Sequence, residues 1–205
     1  EIMMDVGGGN LVPVGSLTYT RAGAASGTGA TPAMPAMNDP AAMKEMEKMM
    51  ERLATPGEQH RWLAKANGGW RVTGHFLEPD GTKSMVCGTA CFRMVQGGRW
   101  QEQTLTATMK GKRFEGRGMT GYDNAKQRFE NTWFDTMSTS HAPAYGQRSA
   151  DGKTLTLTGE WEMPGGMKLP FKYVPTYVDA RRMTFQMYMT VEGQEMLMGE
   201  IAYTR

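Results

Sequence analysis

With 205 residues, 40% of them hydrophobic and 21% charged, the chain carries enough apolar side chain for one core and an appendage. A net charge of +2 gives no field to attract nucleic acid or an anionic membrane, and no apolar run approaches the roughly 20 residues of a membrane-spanning helix. The chain is unusually rich in two residue types, 26 glycines and 20 methionines. They suit tight turns in a sheet and soft, adaptable apolar surface respectively.

Residues 1–38 read as an extended arm. Within it "LVPVGSLTYTR" (11–21) has strand propensity, with Leu17 and Tyr19 alternating against Ser16, Thr18 and Thr20. Its last five residues echo Ile201-Ala-Tyr-Thr-Arg205, so the arm is a candidate for adding to a sheet edge of a partner protein or of a second copy. "RAGAASGTGATPAMPAM" (21–37) is a low-complexity tether. Such tethers follow export signals in bacterial proteins, which makes a periplasmic or other extracytoplasmic location the expectation and a cytoplasmic one the alternative.

Residues 39–67 read as capping helices. Asp39-Pro40 is an N-cap with proline at the first helical position. In "PAAMKEMEKMMERLA" the residues Met43, Met46, Met50 and Leu53 form one stripe, expected to pack. "TPG" (55–57) ends this helix and allows a second, in which Gln59, Trp62, Leu63 and Ala66 share a face until Gly68 stops it.

From Gly68 to Arg205 the period changes to two. Strands are predicted at 69–77, 84–95, 99–109, 113–122, 127–135, 138–148, 153–162, 169–178, 182–191 and 195–204. "KTLTLTGEWE" is the clearest, with Leu155, Leu157 and Trp161 on one face. Hairpin signals such as Gln96-Gly-Gly98, Lys110-Gly111 and Glu192-Gly193 separate them. About ten strands joined by tight turns form an up-and-down antiparallel meander, which closes into a barrel because closure removes exposed edges. Cys87 and Cys91 share a face of one strand about 13 Å apart, beyond the reach of a disulfide, and are expected to be buried free thiols. Their spacing lacks the His or the second pair of a zinc or haem-attachment motif.

In a closed meander the first strand bends where the entering helix plugs the barrel. Gly68 supplies backbone freedom there and Trp70 a side chain large enough to cork the end. This is the lipocalin-type Gly-x-Trp arrangement, in which an Arg on the last strand packs over the Trp; Arg205 stands at that place. Four segments extend the likeness: "LATPGEQHRWLAKANGGWRV", "GMTGYDNAKQRFENTWFDTMSTS", "SADGKTLTLTGEWE" and "GEIAYTR". In this order they resemble a bacterial family of proteins of unknown function, number fifteen seventy-nine in its series. The resemblance covers residues 41–205 and implies a small lipocalin-like (calycin) barrel, with no established activity.

No constellation of residues names a reaction. His60 reads either as a ligand or as the anchor of a helix end, and His141 either as a cavity residue or as a solvated one. No H-x-H or H-x-x-x-H spacing points to a metal. The nitrobindins, a neighbouring calycin family, hold haem through a His late in the barrel, and residues 142–205 contain no His. Copper(I) capture by the clustered methionines of residues 43–50 is weaker than the packing reading. No cofactor is expected.

The cavity candidates are Trp133, His141, Tyr122, Asp135, Met187 and Met189. The pairs Met187/Met189 and Met196/Met198 each put two thioethers on one strand face, lining a cavity or forming an outer surface. The expected function is non-catalytic: a binder of a small apolar molecule or an accessory subunit docked through its arm. The alternative is an enzyme acting on a small hydrophobic substrate inside the barrel.

Overall fold

Apolar side chains that alternate along a strand can be removed from water only if every strand turns the same face inward. Ten consecutive strands do so here. The computed structural model describes residues 2–5, 11–15 and 39–205. By compactness the chain divides into two units, Glu1–Met43 and Lys44–Arg205. In the first, β1 (Ile2–Asp5) pairs antiparallel with β2 (Leu11–Gly15). Leu17, Tyr19, the five-residue echo and the tether lie outside the described residues.

Two helices precede the barrel, α1 (Pro40–Ala54) and α2 (Glu58–Leu63), the latter running into a 3₁₀ turn at Ala64–Ala66. The strands follow as β3 (Gly68–Leu77), β4 (Lys83–Val95), β5 (Trp100–Met109), β6 (Lys112–Asp123), β7 (Arg128–Asp135), β8 (Pro143–Arg148), β9 (Leu155–Glu162), β10 (Lys168–Asp179), β11 (Arg182–Val191) and β12 (Gln194–Thr204). Each pairs antiparallel with its neighbours in sequence, and β12 pairs with β3, which closes the barrel. The predicted strands match these within two residues at most ends. The exception is β8, expected from 138. Pro143 has no N–H to donate to a ladder, and before it Ser140 N bonds the Ser138 hydroxyl at 3.0 Å, a local bond that competes with strand pairing.

The lower end, where β3 begins, is closed. Trp62, Leu63 and Ala66 are buried against it, while Gln59 is half-buried. The Trp62 indole donates to Gly152 O at 2.6 Å and meets Tyr177 edge-on at 4.9 Å. Two core clusters, around Trp70–Val72–Leu105–Ile201 and around Phe129–Leu155–Leu157–Phe171, share Tyr177 and Phe185 at their border.

Two expectations are corrected. The apolar stripe of α1 is not packed into the core: no residue of the helix is buried, Met46 is half-buried, and Met43, Met50 and Leu53 are exposed. Its C-terminal carbonyls are instead held by Asn124, whose amide donates to Leu53 O and Thr55 O at 2.9 Å each. Cys87 and Cys91 are free, but exposed. On β4 the inward face belongs to Val86, Ala90 and Phe92, and the cysteines fall on the opposite parity.

Candidate functional site at the open end of the barrel

The plug closes the end of the barrel where β3 begins. Trp70 is buried and its Nε1 donates to Ala66 O at 2.7 Å. The Arg205 guanidinium carbon lies 4.0 Å from the centre of the Trp70 ring. Its two terminal nitrogens donate to Asn67 O at 2.9 Å and Lys65 O at 3.0 Å. Gly68 has φ +115°, and a Cβ there would sit 3.3 Å from Arg205 Nη1. The left-handed backbone demands glycine, and the guanidinium leaves a Cβ little room.

Of the cavity candidates, Tyr122 belongs to this closed end. Its ring meets His60 edge-on at 6.1 Å and Phe129 at 5.0 Å. His60 is buried and its Nδ1 accepts from Gly57 N at 3.0 Å, so it anchors the start of α2. Burial lowers its pKa; a backbone contact with Tyr122 opposes this and the Arg99 charge adds to it.

Trp133 and Asp135 sit together near the opposite end, both half-buried. The Trp133 Nε1 donates to Asp135 Oδ2 at 2.8 Å, while Asp135 Oδ1 accepts from Met137 N at 2.8 Å. The indole lies flat on two glycines of β6. A Cβ at Gly116 would come within 2.1 Å of the ring and one at Gly118 within 2.8 Å. Phe76 is seated on Gly199 in the same way, and Phe171 on Gly159. Asp135 also acts inside the barrel: burial pushes the Tyr173 phenol up, and the Asp135 charge adds to the shift. Deeper, the Tyr203 phenol is pushed up to about 12 by burial, against a lowering hydrogen bond from Gln103.

Met187 packs on the second core cluster, half-buried, and Met189 is half-buried two residues further up β11. The β11–β12 register shifts between Met187 and Tyr188. Met189 therefore faces Met196, while Met198 falls at the shift. The bulge breaks the simple alternation that put Met196 and Met198 on one face. His141 does not join these residues. It is exposed in the β7–β8 connection, its ring 5.2 Å from exposed Phe134.

The inner wall at the open end also holds residues that the sequence reading did not select for a site: Phe76, Met109, Phe114 and Trp161, each half-buried against a core cluster. Trp161 stacks on Phe171 at 4.6 Å. Strand parity carried the signal for all four. What was missing was which of the inward residues lie at the unplugged end.

A closed antiparallel barrel with one end corked by a helix, an indole and a guanidinium, and half-buried aromatics at the other, defines a lipocalin-like barrel. The chain belongs to the family described as protein of unknown function (DUF1579), which matches residues 55–205. No curated protein matches it. Among solved structures it is similar to Rv2717c from M. tuberculosis, at 15% identity over 74% of this chain and 99% of that one, with TM-score 0.54. It is also similar to the S-type phycobiliprotein lyase CPES from Guillardia theta, at 10% identity over 78% and 96%, with TM-score 0.51. At these identities the likeness shows the fold alone.

Proposed function

We propose that the protein is a non-catalytic barrel that takes up a small apolar molecule through its open end. One observation carries this reading. The inward aromatic and thioether side chains there, Trp133, Trp161, Phe76 and Met187 among them, are half-buried and so reached by solvent. Solvent-reached apolar wall inside a barrel is surface that a ligand covers with gain, about 0.8 kcal/mol per buried methylene, against association costs on the order of 4–15 kcal/mol. Modest affinity for compact apolar molecules follows. An accessory role is the second reading, favoured by the exposed methionines of α1. For the enzymatic alternative, the inner wall near Trp133 offers Asp135 and Tyr173, with His60 at the floor and His141 on an exposed connection.

The test is titration with an environment-sensitive apolar fluorophore, alongside native mass spectrometry of protein from its own host. Saturable enhancement that is lost in Trp133→Ala but kept in Met50→Gln supports uptake at the mouth. A fluorophore response unchanged by Trp133→Ala removes the reading.

A further inference from the structure

Outside α1, exposed apolar side chains are gathered at one end of the barrel. Among the described residues, fourteen large hydrophobics are exposed, four of them on α1. Of the other ten, only Tyr145 and Val178 lie away from the open end. Met137, Met163 and Met167 stand on the connections after β7 and β9, and Met85, Met196 and Leu197 near the upper ends of β4 and β12. Phe134 and Val191 complete the set. The connections at the plugged end run Gln96-Gly-Gly-Arg99, Asn124-Ala-Lys-Gln127, Ser149–Thr154 and Ala180-Arg181, and contribute none. Contiguous exposed apolar surface marks an interaction site, and unbranched thioethers suit one that is not a fixed mould.

Charge indicates what kind of surface this rim meets. The upper connections and the strand residues flanking them carry four lysines, Lys83, Lys110, Lys112 and Lys168. Five carboxylates stand against them: Glu78, Asp80, Asp135, Glu162 and Glu192. Lys110 is paired with Glu78, and Lys168 with Glu160 at 3.0 Å. The rim is thus apolar and close to neutral, complementary to a surface without net charge. Its apolar tips belong to two connections and to the ends of four strands, β4, β7, β11 and β12, spread around the closed barrel, and tips so spread meet a plane together. The outer wall below them presents Thr104, Thr106, Thr156, Thr158 and Glu160, which confines apolar contact to the rim. Inside the mouth the thioethers continue through Met109, Met187 and Met189, so an apolar molecule leaving that plane would enter the barrel without crossing water.

We infer that the open end seats on the surface of a zwitterionic lipid bilayer and that the bilayer is the source of the apolar ligand. This rests on the uptake reading above. The full chain is sedimented with large unilamellar vesicles of phosphatidylcholine. Wild-type protein is expected to partition with them, and Met137→Gln/Met163→Gln/Met167→Gln/Met196→Gln to partition about tenfold more weakly or worse. These four side chains are exposed, so the variant should melt like wild type. Met43→Gln/Met49→Gln/Met50→Gln on α1 should partition like wild type. No binding by the wild type, binding only when phosphatidylserine is added, capture by a host protein in place of vesicles, or loss in the α1 variant alone overturns the inference. The two readings separate cleanly: fluorophore uptake without vesicle binding sinks the docking, and vesicle binding without fluorophore uptake sinks the ligand.

Discussion

Trp70 and Arg205, 135 positions apart in sequence, stack at 4.0 Å and seal the barrel where its first and last strands meet. The indole bonds Ala66 O and the guanidinium bonds Asn67 O and Lys65 O, so both bind the same turn. Trp70→Ala is expected to cost about 3–5 kcal/mol. Arg205→Ala, an exposed group with charge-assisted bonds, is expected to cost about 1–2 kcal/mol. Arg205→Lys should recover less than half of that, because an ammonium cannot fork across two carbonyls. Urea unfolding followed by far-UV circular dichroism reads all three.

The seat of Trp133 makes a second prediction. Gly116→Ala places a methyl 2.1 Å from the indole, so the ring must leave the wall and the fold loses about 1–3 kcal/mol. Gly116→Ala/Trp133→Phe should recover part of the loss, since a smaller ring can yield. An additive double mutant in thermal melts would mean that ring and glycine do not share the space.

Asp135 links the mouth to the loop after β7, with one oxygen on Trp133 Nε1 and the other on Met137 N. Asp135→Asn keeps one acceptor and Asp135→Ala keeps none. The expected order of fluorophore affinity is wild type, then Asn, then Ala, with stability losses of about 1–2 kcal/mol for Ala. Equal affinity in all three, measured by titration, would assign Asp135 to the loop alone.

His60 gives the fold a pH dependence. Its pKa is held below the ordinary 6.5 chiefly by burial, so the unfolded chain binds the proton more readily than the folded one. The stability of the neutral form is fully present above about pH 6.5 and is lost as pH falls from there toward the depressed folded value. Melting temperatures taken from pH 7.5 to 5 should fall over this window. In His60→Asn, which keeps an acceptor for Gly57 N, the fall between pH 7 and 6 should flatten.

Both thiols should be open to reagents in the native state. Cys87 and Cys91 lie on the outer face of β4, so a chromogenic disulfide is expected to titrate two thiols per chain without denaturant. One thiol or none, with two appearing only in guanidinium, would return them to the interior. Removing them as Cys87→Ser/Cys91→Ser should change stability by about 0.5 kcal/mol or less.

Strand number and most strand ends were legible because each depends on neighbours in sequence, whereas the Trp70–Arg205 plug, 135 positions apart, was legible only through the likeness to the lipocalin-type Gly-x-Trp arrangement. Leu155, Leu157 and Trp161 alternate against threonines, and Gly111 and Gly193 mark their turns by residue type. The stripe of α1 misled because an amphipathic period states that a helix has an apolar side. It does not state that a partner is present. Cys87 and Cys91 misled for a related reason: parity alone does not tell which of two faces is inner, and Val86 and Phe92 decided it through bulk. The Met196–Met198 pair failed at a bulge, an extra residue that no period reveals.

Alternation and turn chemistry by themselves determined that residues 68–205 form a run of ten antiparallel strands with one apolar face, and closure followed as the way to remove exposed edges. Which residues share the site was decided only by the tertiary structure. Trp133, Trp161, Phe76 and Met187 come from four strands, and only closure of the barrel brings them together on one inner wall away from the helix and Arg205. Trp133 and Tyr122 look alike as inward aromatics along the chain and both are half-buried, yet strand direction puts one toward the upper end and the other against His60 and Phe129 at the floor.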